Sequence, residues 1–368
     1  MLASRPTVFL SAGEASGDQH GAELARELRL RLPGVRLVGL GGSRMAAQGV
    51  ELLADLDRLA VLGFAEVVRR LPELWLLRRQ VFRALGRLNV DLVVPIDYPG
   101  FNMPLSRHAQ SLGIPVLYYI APQVWAWRER RARRLADWTD EVCVVFAFEQ
   151  DLLENYGASV RLVDHPLLDQ PVPHAAPESS VLGLFPGSRR QEVERMLPVF
   201  LEAASLVAVE RPELQVLVAQ SPDLPDSIYR DCLPTMLADA EAVVRRSRAA
   251  ITKSGTITLQ LAISGVPMVV GYRMNRLTYR IIKRLIRVEH IALVNLVAGK
   301  NVVQELIQAA MTPEALANEA GRLLDNTQRR SQMVEQLAVV TDSLGRSGAA
   351  GRVADACVEL LAARVETT

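Results

Sequence analysis

Short β-branched runs alternate with longer helical stretches along the whole of this chain, and the alternation happens twice, on either side of a proline-rich break. This is the pattern of doubly wound α/β folds, in which each strand is followed by a helix that covers a mostly parallel sheet. In the first series, strands are predicted at 7–11, 36–40, 92–96, 116–120 and 141–145, with helices starting near His20, Met45, Glu66, Leu105 and Arg128. The break spans 166–180 and holds four prolines, which marks it as a linker. The second series has strands at 181–185, 215–219, 249–252 and 267–272, with helices at 192–209, 258–263, 313–324 and 349–364. The fold class is therefore α/β with two Rossmann-like domains, at 1–170 and 178–345, and the 349–364 helix is a candidate to pack back on the first. Two such halves place a ligand at the C-terminal ends of their strands, in a crevice between them.

Composition narrows the function classes. A net charge of +1 over 368 residues gives no global signature of a nucleic-acid binder. The cations are nearly all arginine, with lysine only at 253, 283 and 300. Cys143, Cys232 and Cys357 are far apart and form no CxxC pair, as expected of reduced thiols in a cytoplasmic protein. The N-terminus runs into a strand without an apolar leader, and no apolar run approaches the ~20 residues needed to span a bilayer. Any membrane contact is expected to be peripheral.

Four loops at predicted strand ends carry the chemistry-bearing residues. The first, 11–18, combines Gly13 and Gly17 with Glu14, Ser16 and Asp18. Two carboxylates suit sugar hydroxyls or a general base better than a phosphate, although a plain strand-to-helix turn explains part of the pattern. The second, 185–192, contains Gly187, Ser188, Arg189 and Arg190. Ser188 with Gln191 matches a capping box, and either arginine is suited to clamp a diphosphate. The third, Ser254, Gly255 and Thr256 after Lys253, offers amides and hydroxyls to a pyrophosphate. The fourth runs from Asp97 to Asn102 after a strand that is apolar on both sides. A carboxylate at the end of a buried strand is costly unless paired or used, so Asp97 is read either as a general base or as an aspartate holding its own turn.

Other features are weaker. The pair Asp55 and Asp57 spells a metal-binding DxD but falls in a region of helical periodicity. The histidines form no i,i+4 pair, and His165 opens the linker as either a cleft residue or a structural one. No serine sits in a GxSxG elbow, and neither a metal nor a cofactor is expected. In 64–88, Phe64, Val67, Val68, Leu71, Leu74, Trp75 and Leu76 form a broad apolar stripe among arginines. A basic amphipathic helix of this kind reads as a membrane-surface element, with a core-facing helix as the alternative. The arginine- and tryptophan-rich run 125–134 reads as a solvated helix face rather than a single-strand nucleic-acid platform.

At these loops the sequence resembles lipid-A-disaccharide synthase, a glycosyltransferase of the two-Rossmann GT-B type, from Ser11 to about Gln308. The matching stretches are 12–18, 63–67, 97–102, 121–128, 186–189, 254–256, 267–273 and 295–299, in order and with fitting spacing. The resemblance implies an inverting transfer of the sugar of UDP-2,3-diacylglucosamine to the 6-hydroxyl of 2,3-diacylglucosamine 1-phosphate, with release of UDP. It assigns Asp97 as general base, Glu14 and Ser16 to the acceptor side, Arg189 to the leaving diphosphate, 254–256 to its cradle and Asn295 to the donor site. Ser188, Gly187 and Gln260 join that UDP-binding set. It also implies acylated substrates, contact with the inner face of the cytoplasmic membrane, and a homodimer through the second domain. Several positions depart from the family pattern. Gln260 replaces a glutamate, Lys253 a small residue, Asp164 a glycine, Gly100 an aspartate and Val294 a proline. The first three are grouped on the donor side, which leaves open another GT-B activity on a UDP-sugar, such as a different lipid acceptor or a 2-epimerase, or a non-catalytic binding homologue.

Overall fold

The computed structural model describes residues 5–55, 64–122, 129–170, 180–222, 224–232, 236–275, 279 and 290–367. The chain forms two compact units, Met1–Asp169 with Arg346–Thr368, and Gln170–Gly345.

The first unit holds a seven-stranded sheet in the order β3-β2-β1-β4-β5-β6-β7. Its strands are β1 (Thr7–Ala12), β2 (Arg36–Gly41), β3 (Glu51–Asp55), β4 (Leu92–Ile96), β5 (Leu117–Tyr119), β6 (Glu141–Val144) and β7 (Val160–Leu162). Every pairing is parallel. β1 and β4 are buried along their whole length, which is why they read as unbroken apolar runs. The helices are α1 (Ala15–Arg31), α2 (Ser43–Ala47), α3 (Phe64–Arg87), α4 (Pro99–Ser111), α5 (Glu129–Trp138) and α6 (Ala147–Glu154). Asp55 ends a strand rather than lying in a helix, which corrects the periodicity read there; Asp57 lies outside the described residues.

α3 separates two properties that the sequence left merged. Leu77, Val81 and Leu85, spaced by one helical turn, are buried against Phe9, Val38, Leu40 and Leu105. Trp75 and Leu76 lie off that stripe and are 48% and 54% exposed. The side chains of Phe64, Val67, Val68, Leu71 and Leu74 fall outside the described residues. On α5, Ala132 and Leu135 are buried while Arg131, Arg133 and Arg134 are exposed, as a solvated helix face requires; Trp125 is outside the described residues.

The second unit holds a six-stranded sheet in the order β10-β9-β8-β11-β12-β13, again wholly parallel. Its strands are β8 (Val181–Phe185), β9 (Gln215–Gln220), β10 (Met236–Asp239), β11 (Ala249–Thr252), β12 (Met268–Tyr272) and β13 (Gln304–Ile307). Its helices are α7 (Arg190–Val209), α8 (Ala240–Arg246), α9 (Ile257–Ile263), α10 (Leu293–Ala298), α11 (Pro313–Asp325) and α12 (Thr327–Ser343). A last helix, α13 (Ala349–Thr367), belongs to the first unit and packs on α1. The α/β class with two Rossmann-like units stands as expected. Cys143 and Cys357 are buried free thiols, and burial pushes both well above the usual thiol range.

Candidate functional site

In each sheet the strand order reverses once, between β1 and β4 and between β8 and β11. At such a switch point the two following connections leave in opposite directions and open a crevice at the strand ends. The four loops singled out in the sequence follow these four strands.

In the first unit, Ala12 and Ile96 are paired, so the loops after β1 and β4 start side by side. Asn102 fastens them together. It is fully buried, and its Oδ1 accepts the Ser11 hydroxyl at 2.7 Å. Its Nδ2 donates to the carbonyls of Ser11, Ile96 and Asp97 at 3.1, 3.1 and 2.7 Å. The Tyr118 hydroxyl donates to the same Asp97 carbonyl at 2.7 Å. These bonds hold a turn in which Asp97 and Tyr98 both adopt left-handed backbone, with φ of 45° and 48°. Non-glycine residues take that region at a cost, and it clusters at functional sites where the surroundings impose it. Asp97 is half-buried rather than fully enclosed. The Tyr98 ring crosses the first loop where a Cβ on Gly13 would meet it at 2.1 Å, which explains the glycine. Glu14 is the N-cap residue of α1 and accepts the Ser16 hydroxyl at 3.0 Å on an exposed face.

Asp18 has a different role from the one read in the sequence. It is buried, and its carboxylate accepts the backbone amides of Gly42, Arg44 and Met45 at 2.7, 3.1 and 3.1 Å. Those are the orphan donors at the start of α2, so Asp18 caps that helix from the neighbouring α1. His165 is also structural in character. It is buried, its Nδ1 accepts the Leu167 amide at 3.2 Å, and burial lowers its pKa to about 4, with His20 adding to the shift. Asp164 has φ of 61°, which accounts for a glycine being usual there, and it pairs with Arg352 at 3.0 Å. It belongs to the first unit, whereas Lys253 and Gln260 belong to the second.

In the second unit, the Lys253 amide donates to the Phe185 carbonyl at 3.0 Å, tying the two loops at their roots. The expected Ser188–Gln191 capping box is displaced by one residue. Arg189 is the N-cap of α7, and the Glu192 carboxylate accepts its backbone amide at 3.4 Å. Gly187 has φ of 120°, and a Cβ there would stand 2.5 Å from Glu192 Oε2. Ser188 and Arg189 are exposed at the turn. Arg190 donates to Glu194 one turn along the helix at 3.3 Å. Burial pushes the Tyr272 hydroxyl above its usual value, with the Glu192 carboxylate adding to the effect.

Two residues read for the donor site make hydrogen bonds within the second unit. The Ser254 hydroxyl donates to the Ile291 carbonyl at 2.6 Å. Asn295 is fully buried; its Oδ1 accepts the Val302 and Val303 amides at 2.8 and 2.9 Å, and its Nδ2 donates to the Val303 carbonyl and Glu305 at 2.9 and 2.8 Å. Glu305 in turn accepts the amides of Ile291 and Ala292 at 2.9 and 3.1 Å. Asn295, with Glu305, therefore orders the 290–293 segment, to which Ser254 is anchored. Gly255 and Thr256 complete the turn, and Gln260 is half-buried on α9. A cavity of about 540 Å³ in this unit, lined by His290, Asn301, Val303, Glu305 and Arg329 among others, contains none of the predicted site residues. Among the described residues, no group of three or more His, Cys, Asp or Glu is placed to hold a metal ion. No helix of the described residues is long and apolar enough to cross a membrane.

The family model described as lipid-A-disaccharide synthetase matches residues 8–350. A lipid-A-disaccharide synthase of Nitrosococcus oceani is 40% identical over 376 residues, covering 97% of each chain. Among solved structures, a glycotransferase of kitacinnamycin is similar with a TM-score of 0.63 at 18% identity, over 96% of this chain and 99% of that one. A UDP-GlcNAc 2-epimerase from Neisseria meningitidis bound to UDP-GlcNAc is similar with a TM-score of 0.63 at 11% identity, over 96% and 100%. At those identities the two structures speak for the fold alone.

Proposed function

The chain belongs to the lipid-A-disaccharide synthetase family, and from that premise we propose how its two switch-point loop pairs divide the work of a glycosyl transfer. The enzyme is a hexosyltransferase that makes lipid A disaccharide 1-phosphate from UDP-2,3-diacylglucosamine and 2,3-diacylglucosamine 1-phosphate, releasing UDP. The first unit takes the acceptor. Asp97 removes the proton of the acceptor 6-hydroxyl as its oxygen attacks the anomeric carbon, and Glu14 and Ser16 orient the acceptor sugar. The second unit takes the nucleotide. Negative charge grows on the diphosphate as the glycosidic bond to UDP breaks, and Arg189 with the turn amides of 187–189 and 254–256 meets it. Donors fixed in advance stabilise such charge without reorganising at the moment of reaction. Gln260 faces the ribose as a neutral amide.

The observation that carries this reading is the Asn102 clamp, which holds Asp97 in a left-handed turn at the switch point. An enforced turn of that kind is what a base needs in order to keep one orientation. Replacing Asp97 by Asn should abolish transfer in an assay of labelled UDP release with the diacylated acceptor, while calorimetric UDP affinity stays near wild type. Loss of a general base costs about 10²–10⁴-fold, so a variant that retains a tenth of wild-type turnover rules Asp97 out of that role. UDP release is the discriminating readout against the binding-homologue alternative, which predicts nucleotide binding without turnover. The acyl chains of both substrates also need an apolar partner. Trp75 and Leu76 on α3 are assigned to the inner surface of the cytoplasmic membrane, where those substrates reside.

A further inference from the structure

The two loops at the second switch point are joined by an ion pair that the proposed chemistry does not yet use. Lys253 Nζ donates to Glu192 Oε1 at 2.9 Å, and both side chains are largely buried, at 17% and 16% exposure. Glu192 lies in the first turn of α7, immediately after the loop that contains Arg189. Its second oxygen stands beside the Arg189 amide and closes against Gly187. Lys253 extends from the other loop and passes beneath Gly255, where a Cβ would meet its Cε at 3.2 Å and its Nζ at 3.3 Å. A carboxylate is thus built into the turn whose amides are assigned to a diphosphate. Alone, it would repel that ligand, because like charges in a half-buried site are poorly screened. With Lys253 in place, the charges of Glu192 and Lys253 cancel, and Arg189 leaves the loops net positive.

We propose that Lys253 is a charge-compensating positioning residue of the nucleotide diphosphate site, acting through Glu192 rather than by gripping the phosphates itself. The inference rests on the reading of these loops as the diphosphate site. It makes Lys253 specific for the charged part of the nucleotide and indifferent to the nucleoside. It also gives the half-buried carboxylate a purpose, since Glu192 holds the Arg189 turn and needs an ammonium to do so without repelling the ligand.

The test is a double-mutant cycle on the full-length protein, with UDP affinity measured by calorimetry and uridine affinity by competition. Lys253→Met should weaken UDP by at least tenfold and leave uridine within twofold. Adding Glu192→Gln to it should restore UDP affinity to within about threefold of wild type, because the uncompensated charge is then gone. Glu192→Gln alone, which tests the idea even if Lys253→Met fails to fold, should raise UDP affinity by about threefold. A double variant as weak as Lys253→Met would overturn the proposal and show the ammonium on the phosphate. A parallel fall in UDP and uridine would equally overturn it, as would weaker UDP binding by Glu192→Gln. Arg189→Ala separates this inference from the reading beneath it. If that variant binds UDP as wild type does, the loops are not the diphosphate site and both fail. If it weakens UDP while the Lys253–Glu192 cycle shows no coupling, only the present inference fails.

Discussion

At the scale of single residues, the site is built from side chains that bind backbone, and these were the hardest to read in advance. Asp97 was legible because a carboxylate ends an apolar run. Asn102 was not, because its meaning lies in a bond to Ser11, 91 positions away. Lys253 and Glu192 are 61 apart, and no spacing rule connects them. Asp18 misled in the opposite direction, since a carboxylate beside a glycine-rich loop looks reactive until its partners are seen. His165 offers a quantitative check. Burial lowers its pKa from 6.5 to about 4, and Nδ1 accepts the Leu167 amide only while unprotonated. Between those two values the unfolded chain binds the proton and the folded chain does not, so stability rises with pH across the window. It is complete above about 6.5 and is lost as pH falls to about 4, by about 3 kcal/mol at 1.36 kcal/mol per pKa unit. Unfolding midpoints between pH 7 and 4 should fall more steeply for wild type than for His165→Gln. Equal slopes would show that the histidine does not titrate against the fold.

At the scale of elements, nine of the thirteen strands among the described residues follow from the sequence, and the four missed ones have a common cause. β3, β7, β10 and β13 are the outer strands of the two sheets. A central parallel strand is covered on both faces and reads as a continuous apolar run; an outer strand has less to bury. β7 is only half-buried throughout, and β13 mixes one buried residue with exposed and half-buried ones. α3 shows the complementary problem, in which one helix carries a buried apolar stripe and, off it, two exposed apolar side chains. Its inner stripe of Leu77, Val81 and Leu85 belongs to the core. Trp75 and Leu76 lie outside it, and the Arg79 guanidinium sits over the Trp75 ring at 4.6 Å. That juxtaposition suits an anionic interface, where aromatic and cationic side chains act together. Replacing Trp75 and Leu76 with serine should reduce binding to anionic vesicles and raise the KM for acylated substrate, with UDP affinity and melting temperature unchanged. The residual binding should fall with added salt, since headgroup attraction is screened. Leu85→Ala should do the reverse, costing about 2–5 kcal/mol of stability and sparing vesicle binding by the folded fraction. A serine pair that melts far below wild type would return Trp75 and Leu76 to the core.

At the scale of the whole molecule, the chain leaves the first unit at Asp169 and returns to it at Arg346, so the two units differ in how they depend on the C-terminus. The second is one continuous stretch. The first is completed only when α13 docks on α1, burying Val353, Ala354, Ala356, Cys357 and Leu361. Ion pairs surround that contact. Arg31 meets Asp355 at 2.6 Å, and Arg161 bridges Glu141 and Glu359, both at 2.5 Å. The Arg31–Asp355 and Arg161–Glu359 pairs are exposed and contribute about 0–1 kcal/mol each, so they set the register of the helix more than they hold it. The apolar face does the holding, because each fully buried Val or Leu is worth about 1.5–3 kcal/mol. Two polar ties add to this. Arg352 donates to the Val163 carbonyl at 3.0 and 3.1 Å, and Asp169 accepts the amides at the start of the helix. Removal of 346–368 would therefore uncover apolar surface on α1 and leave the Val163 carbonyl without its guanidinium. A chain ending at Gly345 should show a first-unit calorimetric transition that is several kcal/mol weaker or absent. It should lose transfer activity, because Asp97 and its clamp lie in that unit, yet keep UDP affinity within a few-fold of wild type if the nucleotide is held by the second unit. An unshifted first transition would mean that α13 is an ornament on a unit already complete. Joint loss of the first transition and of UDP binding would mean instead that the second unit does not hold the nucleotide by itself.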